Sequence, residues 1–426
     1  MASLRFVSGA RFLLVLIVLS LGSAGLVAFV SRTPASIRLA KPPPSAAAAD
    51  NGAHFTPSEI ARSGDFQGPA YLSTAFYVAT SIVTLLWLAR GPVRWLVDRA
   101  ERIPGGWPVR ALLVAAVVTV VLTAATLPLG YVGYRISQAW GLSTQDFGGW
   151  FLDQGRGLLV SGVTSAVTAV VFFGLVRWQP RSWWLWGWAA FALLTVLITF
   201  LYPVVITPLF NKFTPLHDQA LIEKVHRLAA DAGVDITQVL VSDASKRTTA
   251  ENAYVAGLGK SKQLVVYDTL LKQQDPKETE FIIAHELGHE QKNHVLKGVA
   301  IATLGLFVAF AVLRWLAGRG SFWTWGGAAG IGDLRALPLL LLFATVATVL
   351  TLPVQNAVSR HFESQADSVA IQLTHDPTPA VAAFRRLAFS NLSDLRPPRI
   401  AVWLLFTHPP IADRINAILS EAKATP

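Results

Sequence analysis

The chain of 426 residues contains no cysteine and little charge. The absence of cysteine excludes disulfides, catalysis by a thiolate and a zinc site with cysteine ligands. Charged residues make up only 15% of the chain against 53% hydrophobic residues, and the mean hydropathy is +0.46. Soluble globular proteins carry more charge than this, so the composition indicates an integral membrane protein.

Charge is missing above all from seven long stretches of the chain. Six of them can cross about 30 Å of hydrocarbon as helices, at 1.5 Å of rise per residue. The stretch from residue 298 is shorter and spans only if it continues past Arg314, with that side chain extended toward the interface. We therefore predict seven spans, at residues 12–31, 66–89, 111–134, 157–176, 182–211, 298–313 and 336–359.

Basic runs with interleaved aromatic residues are also missing. The net charge of +10 therefore indicates membrane-facing loops, and nucleic acid is not an expected partner. Arg5 and Arg11 precede the first apolar stretch, as they would in a cleaved signal peptide. The 20 uncharged residues at 12–31 exceed a usual signal sequence, which favours a retained anchor.

Against this apolar background, His285, Glu286 and His289 form an H-E-x-x-H motif. Positions i and i+4 share one face of a helix, so both imidazoles reach a single Zn²⁺ ion while Glu286 lies beside the open coordination position. The pattern is typical of zinc proteases. The alternative is a solvated helix face with no metal.

The motif lies in the one long polar part of the chain. Helical spacing is predicted over 216–232, strands over 238–242 and 263–268, and the motif helix over 276–294. Strands followed by a metal-binding helix are the zincin arrangement. A peptide adding in extended form to the second strand would be held by main-chain hydrogen bonds, which makes Val265, Val266 and Tyr267 candidate substrate-binding residues.

A catalytic zinc site needs a third protein ligand. After His289 the chain crosses the membrane twice, so Glu363 returns to the side of the motif. Glu363 and Asp367 share a helix face at i and i+4, so that one carboxylate can bind the metal and the other can orient an imidazole. The alternative is a solvated helix end with Arg360 paired to a carboxylate. His361 is a rival ligand of lower rank, and His294 is predicted to be a surface residue.

Several further motifs occur in order along the chain, and with them it resembles the CAAX prenyl endopeptidases, integral-membrane zinc metalloproteases with seven spans. The similarity runs from the second span to the C-terminus. The matching segments are 208–215, 252–254, 266–270, 285–289, 359–367 and 407–410, followed by Arg414.

The resemblance implies an α-helical integral membrane protein in which about seven transmembrane helices enclose a chamber, with an inserted α+β zincin-like domain. It implies one Zn²⁺ per chain on His285, His289 and Glu363, with Glu286 as general base and acid. Asp367 would lie behind the metal. By the same resemblance, Asn252 contacts the substrate backbone, and His408 and Arg414 are polar residues of the catalytic site.

The predicted organisation has six parts. Residues 1–31 form the first span, 32–65 a Pro- and Ala-rich linker and 66–211 spans two to five. Residues 212–297 form the catalytic domain, 298–359 spans six and seven, and 360–426 the helix of the third ligand with a C-terminal catalytic segment.

The predicted function is hydrolysis of peptide bonds in peptide or protein substrates, including lipid-modified or membrane-associated ones. We expect a multi-pass integral membrane protein. If the source is bacterial, the membrane is the inner membrane. One alternative is a broad-specificity quality-control protease of the heat-shock type. Another is a seven-span transporter or receptor with a structural zinc, although ionisable groups are nearly absent from the spans.

Two observations favour opposite sides of the membrane for the catalytic domain. Arginines are concentrated in the loops opposite that domain, which favours those loops as cytoplasmic. The eukaryotic members of the family that the chain resembles are understood to present the catalytic side to the cytosol.

Overall fold

The computed structural model describes residues 2–38, 54–257 and 259–424. The membrane part contains α1 (Ala2–Val30), α2 (Ala35–Arg38), α3 (Pro57–Arg90), α4 (Pro92–Ala100), α5 (Gly106–Ala139), α6 (Phe147–Trp178) and α7 (Trp183–Leu201). The chain continues through β1 (Phe213–Pro215), α8 (Gln219–Asp231), β2 (Gln238–Ser242), β3 (Ala253–Ala256), β4 (Gln263–Tyr267), α9 (Asp268–Gln273) and α10 (Pro276–Gln291). It ends with α11 (His294–Ala317), α12 (Gly320–Trp325), α13 (Leu337–Thr374), α14 (Pro377–Ser390), α15 (Arg399–Leu405) and α16 (Ile411–Ala424).

Six helices of the described chain are long and apolar enough to cross a membrane: α3, α5, α6, α7, α11 and α13. The first predicted span lies within α1, whose described apolar part is the shorter segment Leu16–Val30. Large aliphatic side chains such as Leu159, Leu304 and Leu350 are 66%, 66% and 73% exposed on these helices. Exposure of that kind suits contact with lipid hydrocarbon.

The second membrane helix begins at Pro57, inside the predicted linker 32–65. Thr56 and Glu59 form a capping box at its start, with Pro57 at the first helical position. Arg62 keeps its charge beside Trp140 and Phe389, with the guanidinium 5.5 and 4.3 Å from the two ring centroids. The middle of the predicted linker, residues 39–53, lies outside the described residues.

The membrane helices enclose an apolar cavity of about 900 Å³. Segments of α5, α6, α7, α11 and α13 line it, and its lining includes His294, Ser359 and Phe362 near the catalytic domain. The expectation of helices around a chamber is therefore confirmed.

The catalytic domain contains a four-stranded sheet in the order β1-β2-β4-β3. β2 and β4 are parallel, and the outer strands pair antiparallel with them. Leu264, Phe281, Ile283, Leu287 and Ile415 form part of its buried core, which the sheet shares with α8, α10, α14 and α16.

The motif helix ends at Gln291, three residues earlier than predicted. Asn293 adopts a left-handed conformation with φ of 54°, and α11 starts at His294 in a new direction. The polar domain therefore passes into the sixth span through a sharp break. α13 has no such break and runs without interruption from the membrane into the catalytic domain.

Candidate metal centre

The metal centre is built where α10 packs against α13. Gly288 makes the close approach possible, because a Cβ atom there would lie 3.0 Å from the Ala366 carbonyl oxygen and 3.1 Å from Val369 Cβ. The motif helix thus lies directly against the turn of α13 that carries Glu363 and Asp367. Both of these carboxylates are buried, at 6% and 5% exposure.

Three side chains converge at this contact, and they are the three that the sequence predicts as metal ligands. His285 Nε2 lies 3.2 Å from His289 Nε2. The Glu363 oxygens lie 3.3 Å from His285 Nε2 and 3.4 Å from His289 Nε2. These residues form the one possible three-ligand metal group among the described parts of the chain. His361, the rival ligand, is not in the group.

The donor set fits a small divalent cation. Ligands about 2.1 Å from a tetrahedral zinc ion lie about 3.4 Å apart, close to the spacings of these side chains. Glu363 Oε2 is buried and accepts no hydrogen bond, which leaves it available to a metal. The carboxylates of Glu286, Glu363 and Asp367 beside the single cation Arg414 leave a net charge of −2, which a divalent ion neutralises.

Asp367 orients the first imidazole. Its Oδ1 lies 2.9 Å from His285 Nδ1, so Nδ1–H donates to the carboxylate and Nε2 keeps its lone pair for the metal. Arg414 holds Asp367 in turn, with Nη2 2.6 Å from Oδ1 and Nε 2.8 Å from Oδ2. Such a bidentate pair fixes the carboxylate in orientation as well as in position.

His294 orients the second imidazole. Its Nδ1 lies 3.0 Å from His289 Nδ1, and its Nε2 lies 2.9 Å from Gln365 Oε1. Its ring also stacks on Phe362 at 4.3 Å, and only 5% of the residue is exposed. The prediction that His294 is a surface residue is wrong, because the break at Asn293 turns the side chain back toward His289. No metal-site spacing of the sequence indicated this contact.

Glu286 stands beside the ligands without binding them. Its carboxylate forms no hydrogen bond or ion pair with any described residue. Burial raises the pKa of this carboxyl, and the neighbouring His285 and His289 oppose the rise. A carboxylate that is near the ligands, unpaired and more basic than usual is suited to take a proton.

His408 approaches the ligands from the C-terminal segment. Its Nε2 lies 3.3 Å from Glu363 Oε1, while 57% of its side chain stays exposed. The segment before it is fixed to α13, because Arg360 Nη1 donates to the carbonyls of Val402 and Phe406 at 2.8 Å. Arg360 therefore positions this loop and is not paired with a carboxylate.

Arg414 lies behind the ligands, where it is 7% exposed. Its Nη2 lies 3.5 Å from Glu363 Oε2 and 3.5 Å from His285 Nδ1. Nearby carboxylates, chiefly Asp367, outweigh burial and raise the pKa of this guanidinium. The side chain is thus held by Asp367 through two hydrogen bonds.

The sheet corrects one predicted substrate site. β4 has β2 on one side and β3 on the other, so its main chain is fully paired. The prediction that a peptide adds to Val265, Val266 and Tyr267 is wrong for this reason. The edge strands are β1 and β3, and Asn252 lies exposed immediately before β3. The Asn252 carbonyl accepts from Tyr267 N–H at 2.9 Å, and its side-chain oxygen accepts from Ala253 N–H at 3.0 Å.

A helical membrane chamber capped by a domain with this metal group defines the class of integral-membrane metallopeptidases. Two family models agree with that class. The model for peptidase family M48 matches residues 215–422, and the model for the N-terminal part of CAAX prenyl proteases, described as five membrane helices, matches residues 68–212.

Curated relatives extend the similarity to most of the chain. An uncharacterized metalloprotease, YhfN of Bacillus subtilis, is 36% identical over 72% of this chain and 73% of that protein. The CAAX prenyl protease 1 homolog of Oryza sativa is 32% identical over 68% of each chain. The CAAX prenyl protease 1 of Saccharomyces cerevisiae is 29% identical over 71% and 70%. The chain belongs to the M48 family of CAAX prenyl protease-like metallopeptidases.

The fold has a solved counterpart in the crystal structure of S. mikatae Ste24p. The two superpose with a TM-score of 0.76 at 21% identity, over 96% of this chain and 99% of that one. The protein is thus a multi-pass membrane metalloendopeptidase that acts on peptide or protein substrates and uses a metal cofactor. The alternative of a transporter or receptor with a structural zinc is wrong.

Proposed function

We propose that the metal is zinc and that His285, His289 and Glu363 hold it for cleavage of peptides that enter from the chamber and the β3 edge. The observation that carries the proposal is the convergence of the three ligand groups at 3.2 to 3.4 Å beside the unpaired Glu286. Two imidazoles and one carboxylate are a typical catalytic donor set for zinc.

When bound, the ion supplies a Lewis acid that acidifies water and polarises the scissile carbonyl. Glu286 receives a proton from the attacking water and returns it to the leaving amine. His408, which is partly exposed beside Glu363, donates a hydrogen bond to the carbonyl oxygen as negative charge develops there. Asp367 and Arg414 keep His285 in its ligand tautomer.

Substrate backbone binds along β3 in this proposal, with Asn252 at the start of the edge. Main-chain hydrogen bonds to an edge strand are independent of sequence, so specificity has to arise elsewhere. The apolar chamber supplies it, because its lining suits a hydrophobic or lipid-modified segment of a membrane-associated substrate.

Two substitutions test the assignment together. Glu286→Gln preserves the shape of the side chain and removes the base, so the purified protein should keep one zinc per chain and lose peptide cleavage by about a hundredfold or more. Glu363→Ala removes a ligand, so it should lose both zinc and cleavage. Metal content by mass spectrometry and turnover of a fluorogenic peptide are the two measurements. Retained turnover in Glu286→Gln, or full zinc in Glu363→Ala, would contradict the proposal.

A further inference from the structure

We infer that the protein carries a phosphate-binding pocket at the membrane boundary and that this pocket takes the headgroup phosphate of an anionic phospholipid. The cavity, here called the boundary pocket, measures about 620 Å³. It is lined by Arg156, Lys212, Lys246 and Arg247 together with the segment 208–211 and Phe213. The inference does not depend on the catalytic mechanism.

The ends of two charge-free stretches show where the pocket lies relative to the membrane. Arg156 is the last charged residue before the charge-free stretch 157–176 of α6, and Lys212 is the first after the charge-free stretch 182–211. Since these stretches cross the hydrocarbon, both cations stand where the apolar layer ends. Lipid phosphates occupy that level, and basic pockets between membrane helices bind headgroups there.

The surroundings of the pocket suit the remainder of a lipid. Leu209, which lines the pocket, is 46% exposed, and Val204 and Val205 just before it are 64% and 53% exposed. On α6, Leu159 is 66% exposed one turn below Arg156. A phosphate in the pocket therefore has exposed aliphatic side chains beneath it, which can contact acyl chains. A freely diffusing phosphate would gain nothing from that surface.

The charge of the pocket is positive after all ion pairs are counted. Its lining has four cations and no acidic residue. Asp153 neutralises one positive charge while it contacts both Arg247 and Arg156, and Asp243 pairs with Lys246 at 2.6 Å. Four cations and two carboxylates leave a net charge of +2. Lys212 makes no side-chain ion pair within the described residues.

The two arginines are held in place before any ligand arrives. Arg247 Nε and Nη2 lie 2.7 and 3.0 Å from the Asp153 oxygens, and its Nη1 donates to Asn211 Oδ1 at 3.2 Å. Arg156 Nη1 lies 2.7 Å from Asp153 Oδ1. Ordered donors bind an anion at a smaller loss of side-chain entropy. Lys212 and Lys246 are thus the residues to change, since Arg247 and Asp153 also join α6 to the catalytic domain.

The test compares two double variants with the same change in net charge. Lys212→Gln with Lys246→Gln removes the two lysine charges of the pocket. Lys272→Gln with Lys277→Gln is the control, because both lysines are exposed on the catalytic domain and pair with Asp268 and Asp376. The full-length proteins are purified in detergent and titrated with phosphatidylglycerol or phosphatidylcholine, and bound lipid is counted by native mass spectrometry.

The expected result is preferential binding of phosphatidylglycerol, reduced about tenfold or more in the pocket variant and unchanged in the control. Equal losses in both variants, or no preference for the anionic lipid, would overturn the inference. A parallel arm adds inorganic phosphate without lipid and follows the unfolding temperature. Inorganic phosphate could raise the unfolding temperature of the unchanged protein and not that of the pocket variant, while neither lipid is preferred. That result would show that the pocket binds phosphate and would overturn the lipid headgroup as its ligand.

Folding of the variants is monitored separately. Metal content and gel-filtration profile should match those of the unchanged protein in both double variants. Lys212→Arg combined with Lys246→Arg keeps the charge and should restore lipid binding. Failure of that variant to bind, with normal metal content, would also contradict the inference.

Discussion

At the scale of single residues, the two proposed histidine ligands are oriented by different chemistry. His285 donates to a carboxylate, and His289 donates to a neutral imidazole. The neutral acceptor fixes the tautomer of His289 without adding negative charge beside the metal. His294 can accept at Nδ1 because its own Nε2–H donates to Gln365. Hydrogen-bond donation therefore runs from His289 through His294 to Gln365.

A first prediction concerns this contact. His294→Phe keeps a ring to stack on Phe362 and removes the acceptor for His289, so zinc affinity should fall between about tenfold and a hundredfold. Competition with a chromophoric chelator measures the affinity. His361→Phe is the matched control, because His361 contacts Gln365 and not a ligand, and it should change little. Equal affinity in the two variants would exclude a positioning role for His294.

A second prediction concerns Glu251, a buried carboxylate one residue before Asn252. Burial raises its pKa above the ordinary value of a glutamate, against the opposing effects of Ser390, Gln274 and Arg386. A carboxyl whose pKa is higher in the folded than in the unfolded protein favours folding at low pH, and that contribution is lost as the pH rises through the folded value. Its Oε1 and Gln274 Oε1 are both buried without a hydrogen-bond partner.

Glu251→Gln should therefore raise the unfolding temperature at neutral pH and flatten its dependence on pH. The new amide can accept from Gln274 and also donate to its free oxygen, which removes a buried charge and an unpaired acceptor together. Thermal unfolding between pH 5 and 8 is the measurement. The control is Glu223→Gln on α8, where the side chain is exposed. A lower unfolding temperature at neutral pH in Glu251→Gln would refute the account.

The site was partly predictable from the sequence, and the reasons differ by residue. His285, Glu286 and His289 are adjacent in the chain, so local spacing predicts them. Glu363 is distant, and counting membrane crossings predicts its side of the membrane. The role of His294 depends on the left-handed backbone at Asn293, which spacing on a continuous helix cannot anticipate. Arg360 was unpredictable because its partners are main-chain carbonyls.

At the scale of elements, the sheet presents one free edge beside the metal centre. Antiparallel pairing alternates between hydrogen-bonded and free residues, and Asn252 bonds with Tyr267. The main-chain N–H and C=O groups of Tyr254 and Ala256 therefore point toward β4. Those of Ala253 and Val255 point outward, away from the sheet. Since Ala253 N–H is already bonded to Asn252 Oδ1, Val255 offers the outward N–H of β3 that a substrate can use.

The third prediction follows from that geometry. Val255→Pro removes the outward N–H and leaves the bonds to β4 intact, and proline is tolerated on an edge strand. Loss of one substrate hydrogen bond should lower kcat/KM about tenfold. Val255→Ala is the control, because it loses the same packing and keeps the N–H. If both variants cleave at the same rate, the substrate does not use this edge.

The strands themselves were predictable, and their order was not. Runs of β-branched residues predict β2 and β4 at their observed positions. β3 was not predicted, because Ala253–Ala256 is short and follows polar residues. Without β3, the second predicted strand would be the free edge, which is why the substrate site predicted on that strand is wrong.

At the scale of the whole molecule, the loops lie on two opposite sides of the membrane helices. The catalytic domain, the loop before α6 and the start of α3 share one side, since Thr249 N–H donates to Leu142 O and Phe55 packs on the catalytic core. The other side is rich in arginine. It carries Arg90, Arg94, Arg99, Arg102, Arg110, Arg177, Arg181, Arg314, Arg319 and Arg335.

The fourth prediction is that the arginine-rich side faces the cytoplasm. The chain has no cysteine, so single cysteines report their side without background. Ser420→Cys on α16 should react with a membrane-impermeant maleimide in intact cells, and Ser321→Cys on α12 should react only after lysis. Both serines are exposed. The reverse labelling pattern would place the catalytic domain in the cytoplasm.

α13 connects the membrane part to the candidate metal centre. It is a single helix of 38 residues, roughly 57 Å long at 1.5 Å per residue. It carries the proposed metal ligand Glu363 and also Arg360, whose side chain holds the loop of His408. Helices tilt to match the thickness of the hydrocarbon layer, and a change of about 5° around Pro353 displaces Glu363 by about 1 Å. Catalytic rates respond to displacements of that size, so we expect the thickness of the surrounding bilayer to change the rate of cleavage.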